Sequence, residues 1–568
     1  MARTKKMLDS FARRVLITGI IGLVGAGTSF AANPKLSPEF EGLDADQPVD
    51  VIVTFRHAPT FADHAKILIR GGIVRRSLEV VRAGAYSLKA AKLAELADDP
   101  DVEYITPDHV VQGTLQFANP TINANIAFQN NYTGTGIGVA VIDSGIMTHP
   151  DTSNRIVYNQ NFVPNIGNDY FDRYGHGTHV AGIIGGDAAE SSGPTFTYTF
   201  RGIAPNVTLI NLRVLDSNGQ GQDSSVIAAI QRAIQLKSSY NIRVINLSLG
   251  RPVSESYTQD PLCLAVEQAW KAGIVVVVAA GNQGRNNSAN TNGYGTITAP
   301  GNDPYVITVG AMKDEGTVSR ADDQIASYSS KGPTLLDHLV KPDIVAPGNL
   351  IISSIPAGLA LTNSYPANKV NDDYYMVNGA NQGSDYYFML SGTSMAAPMV
   401  SGAAALMLQK DPTLTPDTVK ARLMKTAAKT FPTSSTATDP TTGIVYTSYY
   451  DVFTIGAGYL DSCAALNSTD TVPATENAQS PAVQYNATTG SVNLVDAANV
   501  VWGSNVVWGS NVVWGSTVVS GTNVVWGSNV VWGSSTMIGF NVVWGSNVVW
   551  GSGTPAGELA NIAIYGER

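Results

Sequence analysis

Four residue types that together perform acyl transfer lie in separate short motifs of this chain of 568 residues. Acyl transfer through serine needs a nucleophilic hydroxyl, a base that takes its proton, a group that orients this base, and donors for the oxyanion. The candidates are Asp143 in AVIDSGI, His176 in HGTHVAG, Asn282 in VVVVAAGNQG and Ser394 in SGTSMAAPMVSGAAAL. Together they predict a serine acyl-transfer site, provided that the fold brings them to one place.

Each of these residues also has an ordinary structural explanation. Asp143 at a strand end is suited to capping a turn, and Asn282 beside a glycine is suited to a left-handed turn. Ser394 fits an ordinary helix N-cap. His176 and His179 are spaced to share one face of a helix, which would also suit a metal ion, but no glutamate-containing zinc motif accompanies them. Only the combination of motifs favours catalysis.

Short apolar runs between residues 119 and 466 predict the elements that position these side chains. They read GIGVAVIDSG, VTLINLRVLD, IRVINLSLG, GIVVVVAAGN and YVITVGAM, with helical patterns such as SSVIAAIQRAIQLKSSY between them. Buried parallel strands have this continuous apolar character, so the pattern predicts an α/β domain with a central parallel sheet. Asp143 and Asn282 would lie at the carboxyl ends of their strands, where open α/β sheets place their sites. Small residues after Ser394 predict a buried helix that begins at this serine.

The motifs, with VINLSLG and KPDIVAPG, resemble those of the subtilisin-like serine proteases and follow the family's order of Asp, His and Ser. The resemblance implies a subtilisin-like three-layer domain and a serine endopeptidase that cleaves proteins or peptides through an acyl-enzyme. It implies that Asp143 orients the imidazole and that His176 acts as general base and then general acid. Ser394 would be the nucleophile and Asn282 the oxyanion donor, and His179 would be structural.

The resemblance also implies two walls that bind an extended substrate by strand addition, and a pocket base. The residues are Ser248, Leu249 and Gly250 on one wall, Gly221, Gln222 and Asp223 on the other, Thr298 at the pocket base, and Thr393 beside the oxyanion. Thr298 stands in TAPG, where the family often has a glycine. We therefore expect a shallower specificity pocket.

The segment 49–112 predicts a small α+β unit of two strand–helix–strand halves in a split, ferredoxin-like arrangement. It contains the strands VDVIVTF and AYSLKA and ends in DVEYITPDHVVQ. This unit is similar to the family's inhibitory propeptide, which would bind the enzyme in cis and be cut away between Gln112 and Asn119. The chain would then be a self-processing zymogen.

The first 31 residues predict a secretory signal peptide. Basic residues precede an apolar stretch from Val15 to Gly27, and small residues follow it. The stretch is shorter than the ~20 residues of a membrane span and rich in glycine, which favours a cleaved signal over an anchor. We therefore expect a secreted, extracellular or cell-surface protein. The net charge of −10 gives no indication of nucleic-acid binding.

The composition changes after the predicted peptidase domain, residues 119–466. Residues 467–498 are rich in Ser, Thr, Asn, Pro and Ala and predict a linker. Residues 499–552 form nine hexads, of which seven read NVVWGS, and the two irregular hexads are three apart. A period of 18 fits a three-sided parallel β-solenoid, although a disordered or aggregating low-complexity tail is the alternative. Residues 553–568 form a final tail.

Two other functional classes fit parts of the sequence. An idle scaffold that only binds would not need all four catalytic groups, which speaks against it. A surface or assembly protein would use the repeat for attachment to a cell envelope, for self-association or for glycan binding through its tryptophans.

Three structural details stay open at the level of sequence. Cys263 and Cys463 would form one disulfide or remain two buried thiols. No cofactor is needed for the chemistry, and structural calcium is compatible with the family, but DAAESSGPTFTYTF does not match the calcium loop of many relatives. The insert from Ile355 to Leu390 would be a rim of the cleft or, as we favour, a surface loop.

Overall fold

The structure is a computed structural model, and it describes residues 33–37, 40, 43–78, 82–107, 115–288, 291–439, 443–486, 491–495, 513–518, 531–535, 564 and 566–567. The chain divides into two compact units, Met1–Gln112 and Gly113–Arg568. The predicted signal peptide lies outside the described residues. So do residues 108–114, at the start of the predicted maturation region, and most of the repeat and final tail.

The first unit contains a four-stranded antiparallel sheet with two helices. Its elements are β1 (Pro48–Phe55), α1 (Phe61–Ile69), β2 (Ile73–Leu78), β3 (Ala83–Lys89), α2 (Leu93–Ala97) and β4 (Val102–Pro107). The strand order is β2–β3–β1–β4. Alternate residues of β1 (Val51, Val53 and Phe55) share one core with Ile67 of α1 and Leu96 of α2. The unit thus interleaves two strand–helix–strand halves.

The second unit carries the four candidate residues on a larger set of elements. These are α3 (Leu115–Thr121), α4 (Ala124–Gln129), β5 (Gly138–Asp143), β6 (Ile156–Asn161), α5 (His176–Gly185), β7 (Thr208–Arg213), α6 (Asp223–Tyr240), β8 (Ile242–Leu247), α7 (Pro261–Lys271), β9 (Val275–Ala279), β10 (Ile307–Lys313), β11 (Gln324–Ile325), β12 (Ile344–Pro347), β13 (Ile351–Ser354), α8 (Ala360–Ser364), β14 (Lys369–Asn371), α9 (Asp372–Tyr375), β15 (Gly383–Leu390), α10 (Thr393–Lys410), α11 (Pro416–Thr426), β16 (Ser434–Thr438), β17 (Val445–Tyr449), α12 (Val452–Ile455) and α13 (Ser462–Asn467).

The central sheet of this unit has the order β11–β10–β9–β8–β5–β7–β6, with β12 also paired to β10. All of its pairings are parallel, as predicted, except the one between β10 and β11. The antiparallel edge arises because no crossover helix separates Lys313 from Gln324, and a parallel return needs one. The sheet is therefore mixed at one edge.

Helices cover the sheet in two groups. α5 packs with α10, which also contacts β8, β9, β10 and β12, whereas α6 packs with α7. Every residue of α10 from Met395 to Leu408 is buried. The run of small residues in this helix is what allows it to lie inside the core, where close packing penalises any added volume.

Residues 472–483 pack on the second unit, which differs from the linker predicted over 467–498. Val472, Ala478 and Ser480 are buried. The hydroxyl of Ser480 donates to Asp343 at 2.6 Å and accepts from the buried Lys420 at 3.0 Å. The polar composition thus supplies partners for buried charges, and this part of the segment belongs to the domain.

Beyond it, β18 (Ala482–Asn486) pairs with β19 (Ser491–Val495), and β20 (Val513–Val518) pairs in parallel with β21 (Val531–Ser535). Val513 lies opposite Val531, eighteen positions or three hexads away. This register equals the period noted in the sequence.

The structure also bears on the state of the cysteines and on membrane-spanning helices. Both cysteines are free thiols, but only Cys263 is buried, where it donates to Asn302 at 3.3 Å, whereas Cys463 is partly exposed. In the part of the chain that the structure describes, no helix is both long enough and apolar enough to cross a membrane.

Candidate active site

The structure brings Asp143 and His176 together. Asp143 is the last residue of β5, whose six residues are all buried, and His176 is the first residue of α5. The Nδ1–H of His176 donates to Asp143 Oδ1 at 2.8 Å. The aspartate side chain is fully buried and the imidazole is 16% exposed. One ring nitrogen is thus tied to a carboxylate, which leaves the other to exchange a proton.

Glycines make this approach possible. A side chain at Gly177 would collide with the carbonyl of Gly145 and lie 3.1 Å from Asp143 Cβ. Gly175, which precedes α5, has a φ of 116°, in the left-handed region that favours glycine. The two glycines that flank the histidine therefore let the start of the helix reach the end of the strand.

Asp172 stabilises the residues next to Asp143 and next to His176. Its fully buried carboxylate accepts from the Ser144 hydroxyl at 2.9 Å and from the Gly175 N–H at 2.7 Å. The other oxygen accepts from the N–H and the hydroxyl of Thr178 at 2.9 and 2.6 Å. Burial raises the pKa of Asp172 despite these hydrogen bonds.

The pKa of His176 lies above its ordinary value. Burial lowers this pKa, but the charge of Asp143 and its hydrogen bond outweigh the effect, with a smaller contribution from Asp172. Asp143 therefore stabilises the imidazolium that forms when His176 takes a proton.

His179 points elsewhere. Its Nε2–H lies 3.0 Å from the carbonyl of Ile351 and 3.1 Å from that of Phe388, on β13 and β15. Burial, with the charge of His176, lowers the pKa of His179 to about 3. The two histidines do not share a ligand position, and His179 joins α5 to the neighbouring sheet.

Ser394 is the second residue of α10. Its hydroxyl donates to the carbonyl of Ser248 at 3.1 Å, and the Ser248 hydroxyl donates to the carbonyl of Ser394 at 2.8 Å. Among the described residues, no hydrogen bond joins Ser394 to His176. Contacts of this kind are often loose before substrate binds, so the hydroxyl must turn from Ser248 to reach the imidazole.

Asn282 follows β9 and faces the start of α10. Its Oδ1 accepts two hydrogen bonds from Thr393, and a Cβ on Gly392 would lie 3.0 Å from its Nδ2. The oxygen of the amide is therefore fixed. Within the described residues the NH₂ group has no protein acceptor, which leaves it available to an oxyanion.

The two predicted substrate walls are joined by an ion pair. Ser248, Leu249 and Gly250 follow β8, and Gly221 and Gln222 precede α6. Adjoining them, Arg251 Nε lies 2.7 Å from Asp223 Oδ2, and Arg251 Nη2 lies 2.8 Å from the buried Asp260. The guanidinium thus ties one wall to the other and to the start of α7.

Thr298 lies between Gly250 of one predicted wall and Gly281, which precedes Asn282, and the residue is 7% exposed. A Cβ on Gly250 would lie 2.5 Å from Thr298 Oγ1, and one on Gly281 would lie 2.8 Å from its methyl group. The threonine therefore occupies space directly against the two backbones that would flank a substrate side chain.

The insert from Ile355 to Leu390 is ordered and reaches the segment before His176. The N–H of Ala360 donates to Arg173 at 3.2 Å and that of Leu361 donates to Tyr174 at 3.0 Å. β15 of the insert pairs with β13 and β14 in a small antiparallel sheet. The insert thus supports the histidine-bearing turn, which is more than we expect of a surface loop.

The segment 187–200, which does not match the calcium loop expected from the family resemblance, is joined by a hydrogen bond to the buried Asp151. The buried carboxylate of Asp151 accepts from the Tyr387 hydroxyl at 2.8 Å, the Ser354 hydroxyl at 3.2 Å and the Glu190 N–H at 3.0 Å. Arg155, which donates to the carbonyl of Asp151, already supplies a positive charge there.

Among the described residues, one group of three possible metal ligands is present: His57, Asp63 and Asp101. It lies in the first unit. Lys66 Nζ is 3.2 Å from Asp63 and 2.7 Å from Asp101, so an ammonium group already neutralises these carboxylates.

Sequence reasoning missed several residues that support the site. The role of Asp172 was not predicted, nor was the ion pair between Arg251 and Asp223. Asn246 was not singled out, although its amide donates to the Ser248 hydroxyl at 3.0 Å and accepts from Ser401 of α10 at 2.8 Å. Its position in VINLSLG, polar within an apolar run, was the available signal.

Comparison with known proteins gives consistent matches. The family described as "Subtilase family" matches residues 134–446. The chain is 39% identical to Serine protease AprX of Bacillus subtilis (strain 168) over 351 residues, which is 61% of this chain and 72% of that protein. It is 36% identical to Subtilisin E of the same strain over 384 residues, 66% of this chain and 84% of that protein. It is 32% identical to a thermostable alkaline protease of Halalkalibacterium halodurans over 342 residues, 60% of this chain and 76% of that protein.

Proposed function

Because the chain belongs to the subtilase family and is a serine-type endopeptidase, we propose that Asp143, His176 and Ser394 form its catalytic triad and that Asn282 donates to the oxyanion. The observation that carries the assignment is the 2.8 Å hydrogen bond between His176 Nδ1 and Asp143. It fixes the tautomer in which Nε2 accepts a proton.

The mechanism follows from these positions. Nε2 of His176 takes the proton of Ser394 as the hydroxyl attacks the peptide carbonyl, and Asp143 stabilises the resulting imidazolium. The Asn282 NH₂ and the backbone N–H of Ser394 donate to the oxyanion. The histidine then protonates the leaving amine, and water resolves the acyl-enzyme. The chemistry needs no cofactor.

Hydrolysis of casein tests the assignment. Ser394→Ala should lose activity by many orders of magnitude, leaving only the residual rate that binding and the oxyanion donors provide. Ser254→Ala, at an exposed serine outside the site, is the matched control and should retain full activity. A mature wild-type protein as inert as Ser394→Ala would support the binding-scaffold alternative instead.

The chain would be secreted as a zymogen in which residues 49–112 inhibit the enzyme until they are removed. The βαββαβ order of the first unit and the basic-then-apolar start of the sequence support this proposal. Mass spectrometry of the secreted protein should find an amino terminus between residues 113 and 119. The Ser394→Ala protein should retain its first unit, and loss of that unit by Ser394→Ala would exclude self-processing.

The repeat would attach the enzyme to a cell envelope or mediate self-association. The parallel register of β20 and β21 supports an ordered β-repeat as the physical basis. Deletion of residues 499–552 alone should leave casein hydrolysis unchanged while altering cell association or sedimentation. Unaltered localisation and oligomeric state would contradict this role.

A further inference from the structure

Residues that follow the repeat return to the second unit. Ile564 is 2% exposed and Glu567 is 5% exposed, although more than sixty positions separate them from β19. Burial of a glutamate requires compensation by hydrogen bonds or an opposite charge.

A built carboxylate site receives Glu567. Arg285 Nη2 lies 2.7 Å from Glu567 Oε1, and the backbone N–H of Ser327 donates to the same oxygen at 2.8 Å. The Ser327 hydroxyl also contacts this oxygen, and Arg285 Nε donates to that hydroxyl at 2.7 Å. The Arg285 side chain is 7% exposed. Charge-assisted hydrogen bonds in a buried site are among the stronger polar contacts in proteins.

The backbone of the segment is recognised as well. The side-chain amide of Asn349 donates to the carbonyl of Glu567 and accepts from its N–H, both at 2.8 Å. Asn368 donates to the carbonyl of Ile564. Gly566 has a φ of 59°, and a Cβ there would lie 2.8 Å from Asn349 Oδ1. The site therefore recognises a Gly–Glu pair through its backbone and through the glutamate side chain.

The site lies behind the loops that carry the proposed catalytic groups. Arg285 is three residues after Asn282 in the same loop. Gly348, which precedes Asn349, accepts from the Gly392 N–H at 2.8 Å, two residues before Ser394. The segment thus bridges the oxyanion loop and the loop that leads into α10.

We propose that Arg285, Ser327 and Asn349 form a binding site for a Gly–Glu peptide segment, occupied in cis by Gly566 and Glu567. The site anchors the far end of the repeat on the second unit. The near end is anchored by hydrogen bonds of Val340 to Pro481 and of Val483 to His338, both at 2.8 Å. Described residues on both sides of the repeat are therefore held on the second unit. The proposal concerns binding, and it stands independently of the catalytic assignment.

Specific proteolysis between the repeat and Glu567 tests this proposal. A recognition sequence for a specific protease is placed within residues 553–560 of the full chain, in a Ser394→Ala background that prevents self-digestion. After cutting, the fragment with residues 561–568 should remain bound to the body in native mass spectrometry. Glu567→Gln should release it, with dissociation at least tenfold faster, whereas the matched change Glu255→Gln at an exposed position should not.

A second measurement covers the case in which a variant folds poorly. A fluorescein-labelled peptide NIAIYGER should exchange into the cut parent protein and raise its fluorescence anisotropy, and NIAIYGQR should bind at least tenfold more weakly. Immediate loss of the fragment from the cut parent, or equal binding of the two peptides, would overturn the proposal.

Discussion

Thr393 donates two hydrogen bonds to Asn282 Oδ1, from its backbone N–H at 2.9 Å and from its hydroxyl at 3.0 Å. The same hydroxyl oxygen accepts from the N–H of Gly281 at 3.1 Å. Thr393 thereby orients the amide whose NH₂ we assign to the oxyanion, so its role in catalysis is exerted through Asn282.

Removal of the Thr393 hydroxyl should therefore lower kcat. Thr393→Val keeps the shape but leaves one of the two hydrogen bonds, and we expect a loss of about tenfold, against 10²–10³-fold for Asn282→Ala. KM should change little because substrate contacts stay in place. Steady-state kinetics on a peptide anilide measure this split, and Thr393→Ser should retain activity. A loss confined to KM would contradict the positioning role.

The acid limb of the pH–rate profile should lie above pH 6.5, the ordinary value for histidine. The pKa of His176 is raised, so its imidazole stays protonated, and unable to accept a proton, to a higher pH than usual. Asp143→Asn removes the charge that raises this pKa. It should shift the limb to lower pH and lower kcat about 10⁴-fold. A limb that does not move in Asp143→Asn would show that another group controls it.

Thr298→Gly should deepen the specificity pocket. The threonine lies against the backbones of Gly250 and Gly281, so its removal frees volume between them. We expect kcat/KM for substrates with Phe or Tyr before the scissile bond to rise at least tenfold relative to Ala substrates. Thr298→Ser is the control and should change this ratio less. A wild-type enzyme that already prefers large aromatic side chains would refute the shallow pocket.

The variants Asp223→Asn and Arg251→Gln should distinguish an effect on substrate binding from an effect on the stability of the fold. The Asp223 side chain is 42% exposed, so its loss should raise KM a few-fold with little change in Tm. Arg251→Gln also leaves the buried Asp260 without its cation, which should destabilise the fold by several kcal/mol. Kinetics and thermal melts of both variants and the double variant check this. Equal effects on Tm would contradict the argument.

Ser480→Ala should destabilise the second unit although the residue lies in a predicted linker. Its hydroxyl serves the buried Asp343 and Lys420, and loss of a partner from a buried charged group costs about 1–3 kcal/mol. Thr475→Ala, at an exposed position five residues earlier, should change nothing. Urea unfolding measures both, and equal midpoints would show that the segment is a linker.

The sequence predicted the parallel sheet, and with it the approach of Asp143 to His176, because both depend on local patterns. Apolar runs mark buried strands, and glycines on either side of His176 mark a close backbone approach. The direction of the Ser394 hydroxyl towards Ser248 was not predictable, since a rotamer is set by neighbours 146 positions away. The ion pair between Arg251 and Asp223 was not predictable for the same reason.

Amino-acid composition gave a wrong prediction where only a few residues of a polar segment pack against the domain. Residues 467–498 have the polar character of a linker, yet Val472, Ala478 and Ser480 suffice to fix a stretch of it. Gly566 and Glu567 form no periodic pattern, so nothing in the sequence distinguished them from an exposed tail.

The position of Glu567 has a consequence for how the protein is made. A ribosome delivers the chain from its amino terminus, so Arg285 and Ser327 are synthesised long before the carboxylate that they bind. That carboxylate lies beyond nine hexads, seven of which are identical. Gain or loss of whole hexads keeps the reading frame and delivers the Gly–Glu pair, whereas a frameshift anywhere in the repeat removes it. The proposed contact of Arg285 with Glu567 therefore forms only in a chain that has been translated in frame through its repeat.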